Sequence, residues 1–182
     1  MNACQDSCYR TTYLSPLGTL FLAATGDGQA LTSLCFAGQK HQPDWLERCI
    51  KQKDLPVFLE TEHWLTCYFA GEKPPPPPPL HLHTSPFRLR VLRQLSSVPY
   101  ACITTYGAIA AQLQQTSGRA VSAQAVGGAV AHNPIALIIP CHRVLGSRGQ
   151  LTGYAGGLTR KLALLEMEGV DTSTFLLPNT EK

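Results

Sequence analysis

Six consecutive prolines, Pro74–Pro79, limit this chain more than any other feature. Each proline fixes its own φ and lacks an amide donor, so the run can join neither a helix interior nor a sheet ladder. It is expected to be an extended polyproline segment, and as a semi-rigid spacer it suits a tether between two units. The boundary is therefore placed there. Residues 1–80 form an N-terminal domain ending in a proline-rich linker (72–80), and residues 81–182 form a C-terminal domain. The alternative, a docking motif for proline-binding modules, is matched by any proline tract. The whole chain has 182 residues, which fits one domain or two small ones.

Upstream of the prolines, short apolar runs alternate with turn residues. Ser15-Pro16-Leu17-Gly18 is followed by Thr19–Ala24, then Thr25-Gly26-Asp27-Gly28, then Leu31–Phe36, which reads as a β-meander. Between Asp44 and Phe69 the positions Leu46, Ile50, Phe58, Leu59, Trp64, Leu65, Tyr68 and Phe69 recur at helical spacing around Pro56, which predicts two helices. Downstream, Ser85-Pro86 opens a helix with an apolar face of Phe87, Leu89, Val91, Leu92 and Leu95 that stops near Pro99. Tyr106–Leu113 and Val121–Ala131 are alanine-rich stretches separated by the polar turn Gln114–Gly118, at helix-turn-helix spacing. Ala123, Ala125, Gly127, Gly128 and Ala129 keep the second helix thin, so it can approach another backbone, whether a core neighbour or a DNA groove.

Composition narrows the classes. With 44% hydrophobic and 15% charged residues the chain can build a core and is not wholly disordered. Its net charge of +3 permits nucleic-acid binding without arguing for it. No stretch is long enough for a membrane span, and Met1–Arg10 lacks the form of a secretory signal, so a soluble, intracellular protein is expected. The seven cysteines are odd in number and show neither Cys-x-x-Cys nor a disulfide or zinc spacing, which favours a reducing compartment. A metal held by Cys4 and Cys8 with His41, His81 or His83 is the minor reading beside bystander thiols.

The chemistry concentrates at Ile135–Ile139, read as a buried strand, and at the Pro140-Cys141-His142-Arg143-Val144 that follows. A cysteine held after a proline, beside an imidazole and a guanidinium that favour its thiolate, is how a nucleophile is prepared. A buried structural cysteine fits the spacing equally well.

That pentapeptide, preceded by Asn133-Pro134 and followed by Gly153-Tyr154-Ala155-Gly156-Gly157 and Glu168-Gly169, resembles the O6-alkylguanine-DNA alkyltransferase family, the methylated-DNA–protein-cysteine methyltransferases. Ser15–Gly18 and Phe69-Ala70-Gly71-Glu72 look like the family's N-terminal domain, so the resemblance spans nearly the whole chain. It implies an α+β fold: a ribonuclease H-like N-terminal α/β domain with an antiparallel sheet, then a mostly helical C-terminal domain with a winged-helix-like helix-turn-helix. It implies direct DNA repair. The partner is double-stranded DNA carrying O6-alkylguanine, with O4-alkylthymine as a second lesion; the base is flipped out and its alkyl group moves irreversibly to Cys141, once per molecule. No cofactor, metal, membrane or obligate protein partner is implied, and a monomer is expected.

By the same resemblance His142 is the base for Cys141 through a water, oriented by Glu168. Asn133 supports the turn, and Tyr106 helps rotate the nucleotide and donates to the purine. Tyr154, Val144, Ala155, Pro134, Gly156 and Gly157 would hold the flipped base. Ala155 replaces a serine found in some members, which leaves only its backbone amide as donor. Thr105, Ala123, Ala125, Gly127 and Arg143 fall on the DNA side, with the second helix in the minor groove.

The sequence departs from the family at one point. Aligned on Ala125-Val126-Gly127-Gly128, Gln124 stands where the arginine that fills the vacated base stack is usual, and the stretch from Tyr106 is about four residues longer than the family's turn. Gln124 and Arg119 are the two candidates for that role. The zinc-site spacing that some members carry near the N-terminus is not matched. Two other readings compete: an alkyltransferase-like protein that recognises lesions without transfer, and an unrelated cysteine hydrolase using Cys141 and His142. No basic cluster of nuclear type is visible, so a bacterial-type cytoplasm is expected, with a nuclear location left open.

Overall fold

The computed structural model describes residues 8–177, and Cys4 lies outside them. The chain divides into two compact units. One runs through His83 and includes Pro134–Ala136; the other comprises Thr84–Asn133 and the residues from Leu137 on.

In the first unit the meander forms as β1 (Tyr9–Ser15), β2 (Gly18–Ala24) and β3 (Leu31–Phe36), with antiparallel neighbours. The β1–β2 turn is closed by Ser15, whose hydroxyl donates to the Gly18 carbonyl at 2.6 Å. A short strand β4 (Ile50–Lys51) adds parallel to β1, so the sheet order is β3-β2-β1-β4 and the sheet is mixed rather than purely antiparallel. Of the two helices expected around Pro56, the first is only a 3-10 turn, Asp44–Arg48, that leaves Ile50 exposed in β4. The second is α1 (Pro56–Phe69), with Pro56 at its first turn, where a missing amide costs nothing. Val57, Phe58, Thr61, Trp64, Leu65 and Tyr68 form its buried stripe against β1 and β2, and Trp64 stacks on Tyr68 at 5.3 Å.

The proline run ends by joining this sheet. The Leu31 amide donates to the Pro79 carbonyl at 2.8 Å and the His81 amide to the Leu31 carbonyl at 2.9 Å, so the extended segment lies along β3. Ile135 pairs with Leu34 of the same strand.

The cysteines are not all reduced, contrary to the reading from their spacing. Pairing of Tyr9 with Ile50 brings their predecessors side by side, and Cys8 and Cys49 form a disulfide. No periodicity marks a partner 41 positions away. Cys35, Cys67, Cys102 and Cys141 are free thiols.

The second unit is built on α2 (Pro86–Ser96), α3 (Tyr106–Ser117) and α4 (Ala123–Ala131), which pack on one another through Val91, Leu92, Leu95, Ile109, Leu113, Val126 and Val130. Their N-caps are Ser85, Thr105 and Ser122, each side chain accepting from the amide three residues on. α3 runs through the expected turn and ends where Gly118 adopts φ +66°, so the connection to α4 is Gly118–Ser122. Two-residue strands β5 (Thr104–Thr105) and β6 (Val144–Leu145) pair in parallel. The last helix, α5 (Leu158–Met167), packs Leu165 with Leu145 and Leu151. No helix among the described residues is long and apolar enough to cross a membrane.

The disulfide gives a first prediction. Peptide mapping of the oxidised protein without reductant should recover Cys8 and Cys49 in one linked species. Cys49→Ser should lower the unfolding free energy by about 2–4 kcal/mol in a denaturant titration, and equal stabilities would contradict a structural bridge.

Candidate active site

The expected strand at Ile135–Ile139 does not form. Only Ile135 pairs, and the chain then turns through Leu137, held at φ +68°. This conformation is unfavourable for a branched residue and persists because Ile135, Leu137 and Ile139 are all buried. Pro140 leads into a single 3-10 turn, Cys141–Arg143, closed by the Arg143 amide donating to the Pro140 carbonyl at 3.0 Å. Such a turn sends three successive side chains in different directions, so neighbours in sequence need not be neighbours in space.

Cys141 is buried, and desolvation pushes its thiol above the ordinary value. The Asn133 side chain, the charge of Lys161 and the His142 amide pull the other way without winning. At rest the group is a thiol. The expectation that adjacent Arg143 favours a thiolate is therefore corrected, because its guanidinium is spent elsewhere: Nε and Nη2 donate to Glu168 at 2.8 and 2.9 Å, Nη1 donates to the Val98 carbonyl at 2.7 Å, and the group lies over Tyr100 at 5.6 Å. Arg143 is 8% exposed, which also takes it off the DNA side on which the resemblance put it.

Glu168 caps α5 and is buried with both oxygens occupied. Besides Arg143 it accepts from His142 Nε2 at 2.7 Å and from the Ala101 amide at 3.3 Å. These donors outweigh its desolvation and hold the carboxyl at about 2. Burial lowers the His142 pKa, with Glu168 opposing, so the ring is neutral at pH 7. A carboxylate only accepts, so Nε2 carries the ring proton and Nδ1 carries the basic lone pair.

Tyr106 begins α3 directly after β5, and the β5–β6 pair ties it to the residue following Arg143. Its hydroxyl donates to the Gly153 carbonyl at 3.1 Å, and burial raises its pKa to about 12. Gly153 at φ +62° is required there, since a Cβ would lie 2.5 Å from that hydroxyl. Gly127 of α4 faces the Tyr106 ring, with 3.8 Å between the ring and the position of an added Cβ. Tyr154 sets its ring edge-on to His142 at 6.5 Å, and its buried hydroxyl has no hydrogen-bond partner among the described residues.

The other candidates are placed as follows. Val144 is buried and begins β6, Ala155 is half-buried, the Gly156 carbonyl accepts from Arg160, and Gly157 opens α5. Pro134 belongs to the first unit, its carbonyl accepting from the Leu34 amide at 2.8 Å. Thr105 caps α3. Ala123, Gln124 and Ala125 form the exposed first turn of α4, and Arg119 is exposed on the connection, ahead of the Ser122 cap.

Lys161 was not singled out from the sequence. It is fully buried on α5, its Nζ donating to the Val144 and Thr152 carbonyls, and burial brings its pKa down to about 8. A signal existed: Lys161, Leu164, Leu165 and Glu168 occupy one helical stripe, which sets two charged residues on an otherwise apolar face.

Three comparisons bear on this site. Residues 86–170 match the model of the 6-O-methylguanine DNA methyltransferase DNA-binding domain, and residues 8–76 match that of its ribonuclease-like domain. A methylated-DNA–protein-cysteine methyltransferase of Mycobacterium bovis is 44% identical over 160 residues, covering 88% of this chain and 91% of the relative. The Haemophilus influenzae protein of that name is 36% identical, covering 89% and 87%. Among solved structures, the O6-methylguanine methyltransferase of Mycobacterium tuberculosis superposes with a TM-score of 0.77 at 39% identity, covering 93% of this chain and 95% of that one. The Mycobacterium tuberculosis OGT in complex with DNA gives 0.75 at 39%, covering 92% and 94%.

The carboxylate at the centre yields the next prediction. Glu168→Gln leaves the Arg143 guanidinium buried without its counter-charge and should cost about 3–5 kcal/mol by denaturant unfolding at neutral pH. Because the folded-state pKa of Glu168 is depressed, its contribution is present above the ordinary carboxylate pKa and lost as pH falls toward about 2. The gap between parent and variant should close over that acid range, and a constant gap would contradict the assignment.

Proposed function

We propose, for a chain that belongs to the 6-O-methylguanine DNA methyltransferase family, that the sulfur of Cys141 is the atom through which it repairs alkylated DNA. The family's reaction is direct repair: an alkyl group leaves the O6 of a flipped guanine in duplex DNA for a cysteine of the protein, and each molecule acts once. The observation that carries the residue assignment is the chain of contacts around one turn, with Asn133 on the Cys141 thiol and Glu168 on His142.

In the mechanism, Cys141 waits as a thiol. His142, neutral and with its basic nitrogen at Nδ1, takes the thiol proton through a water, and Glu168 stabilises the imidazolium that forms. The sulfur attacks the alkyl carbon, a C–S bond forms as the C–O6 bond breaks, and the electron pair departs with the guanine. The proton released by the thiol balances the one the guanine anion takes up. Tyr106, whose hydroxyl now donates to Gly153, and Tyr154, with its unspent buried hydroxyl, are donors positioned for the purine. Val144, Ala155, Gly156 and Gly157 supply backbone around the base. Lys161 holds the Val144 and Thr152 carbonyls in place. The thioether is a poor leaving group, so the cysteine is not regenerated.

On the DNA side, the exposed first turn of α4 enters the minor groove, and Gln124 occupies the gap left by the flipped base. A duplex-DNA substrate makes the bacterial-type cytoplasm the working compartment, and the Cys8–Cys49 disulfide is the one feature among the described residues at odds with a reducing environment.

The test is intact and peptide mass spectrometry after incubation with excess duplex containing O6-methylguanine, with Cys141→Ala as control. One methyl group on the peptide holding Cys141, absent in the variant, is expected. Selective binding of the lesion duplex without modification would replace this reading with recognition alone. Transfer should also slow in acid as His142 takes up a proton. In Glu168→Gln that acid limb should move to lower pH, because the carboxylate raises the His142 pKa.

A further inference from the structure

Acidic side chains are absent from one long stretch of this chain. No Asp or Glu occurs between Glu72 and Glu166, while Arg88, Arg90, Arg93, Arg119, Arg143, Arg148, Arg160 and Lys161 all fall inside it. Arg143 and Lys161 are buried and committed to the active site. Two of the remainder, Arg90 of α2 and Arg119 of the α3–α4 connection, line one cavity of about 450 Å³ together with Phe87, Ser117, Ser122 and Ala125.

Among the described residues neither guanidinium has a carboxylate partner. The ion pairs among the described residues are Arg10–Glu47, His142–Glu168 and Arg143–Glu168. Arg90 rests over the Phe87 ring at 5.9 Å, and Arg119 is exposed. Two like charges lining a shared cavity repel, and an anion held between them adds two attractions that outweigh that repulsion. The planar guanidinium fork matches phosphate oxygens, and Ser122, whose hydroxyl accepts from the Ala125 amide and keeps its own proton to donate, lines the same cavity.

The cavity also touches the DNA-reading helix. Ala125, which lines it, belongs to the exposed first turn of α4, and Ser122 is that helix's cap. The connection Gly118–Ser122 holds Arg119 ahead of the cap and off the helix, so Arg119 shares a cavity with Arg90 while Gln124 does not line it. We propose that Arg90 and Arg119 together clasp one backbone phosphate of the duplex beside α4. The longer connection thus supplies a positioning contact and leaves the vacated base stack to Gln124. This rests on the DNA-repair reading above and adds a contact to it.

The test is duplex binding by fluorescence anisotropy across a series of KCl concentrations, for the parent, Arg90→Gln/Arg119→Gln and Gln124→Ala, with undamaged and O6-methylguanine duplexes. The double variant should bind both duplexes about tenfold more weakly, the range for charge-assisted hydrogen bonds, and its log K against log salt slope should be shallower by about one unit. Gln124→Ala should keep the parental slope. Alkylation of Cys141 in the parent by free O6-methylguanine base, followed by mass spectrometry, reports on the repair reading independently of duplex binding.

An unchanged slope would overturn the proposal, as would weakening confined to the lesion duplex, which would return Arg119 to the base stack. Inorganic phosphate provides the second arm. Calorimetric binding of phosphate that the double variant loses, with an unchanged duplex slope, would mean a free-anion site and overturn the duplex assignment. If the parent fails to alkylate Cys141 from either substrate, the repair reading fails, while the salt slope still reports on the clasp.

Discussion

Glu168 ends α5 with a buried carboxylate that accepts from His142 and Arg143 of the active-site turn and from the Ala101 amide in the connection after α2. Three segments far apart in the chain thus meet on two oxygen atoms. The arrangement serves two ends at once. Hydrogen bonds from His142 and Arg143, with the Arg143 charge, keep the carboxyl ionised at a buried position, and the ionised carboxyl fixes which nitrogen of His142 carries the proton. All three Arg143 nitrogens are engaged, Nη1 on the Val98 carbonyl, so the turn bearing Cys141 is pinned to two places in its own unit. Burial of the whole group raises the thiol and lowers the imidazole, and the nucleophile is therefore made at the moment of reaction rather than stored.

Much of this was legible in the sequence, for physical reasons that can be named. The strands of the meander and the caps of α2, α3 and α4 are local, decided by turn residues and by hydroxyls within a few positions of the amides they serve. The motifs around Cys141 carried the family. What failed was non-local or averaged. The apolar run Ile135–Ile139 looked like a strand because burial makes the same demand on a tight turn, and Leu137 shows that composition alone does not set φ. The thiolate reading took sequence adjacency for spatial adjacency, which a 3-10 turn breaks. The Cys8–Cys49 bridge depends on a two-residue parallel pairing too short to leave a pattern. The net charge of +3 concealed its distribution, since the unit holding the active site has nine Lys and Arg against four Asp and Glu.

Glycine has a specific use around Tyr106. α4 passes the aromatic ring at Gly127, and the loop carrying Gly153 passes its hydroxyl closely enough that no side chain fits. One tyrosine is thereby held between α4 and the loop that carries Gly153.

The excursion at Pro134–Ala136 bears on how the protein is made. Just before the active-site turn the chain leaves the helical unit to pair with Leu34 of β3, whose amide donates to the Pro134 carbonyl. During synthesis from the N-terminus, that stretch of β3 is complete long before its partner emerges. The first unit must hold an open hydrogen-bonding position until most of the second has been translated. Loop closure over so long a separation is slow, and an uncovered edge in the interval invites pairing with another chain. Yield during expression should therefore depend on translation rate and temperature more than the modest size of the protein suggests.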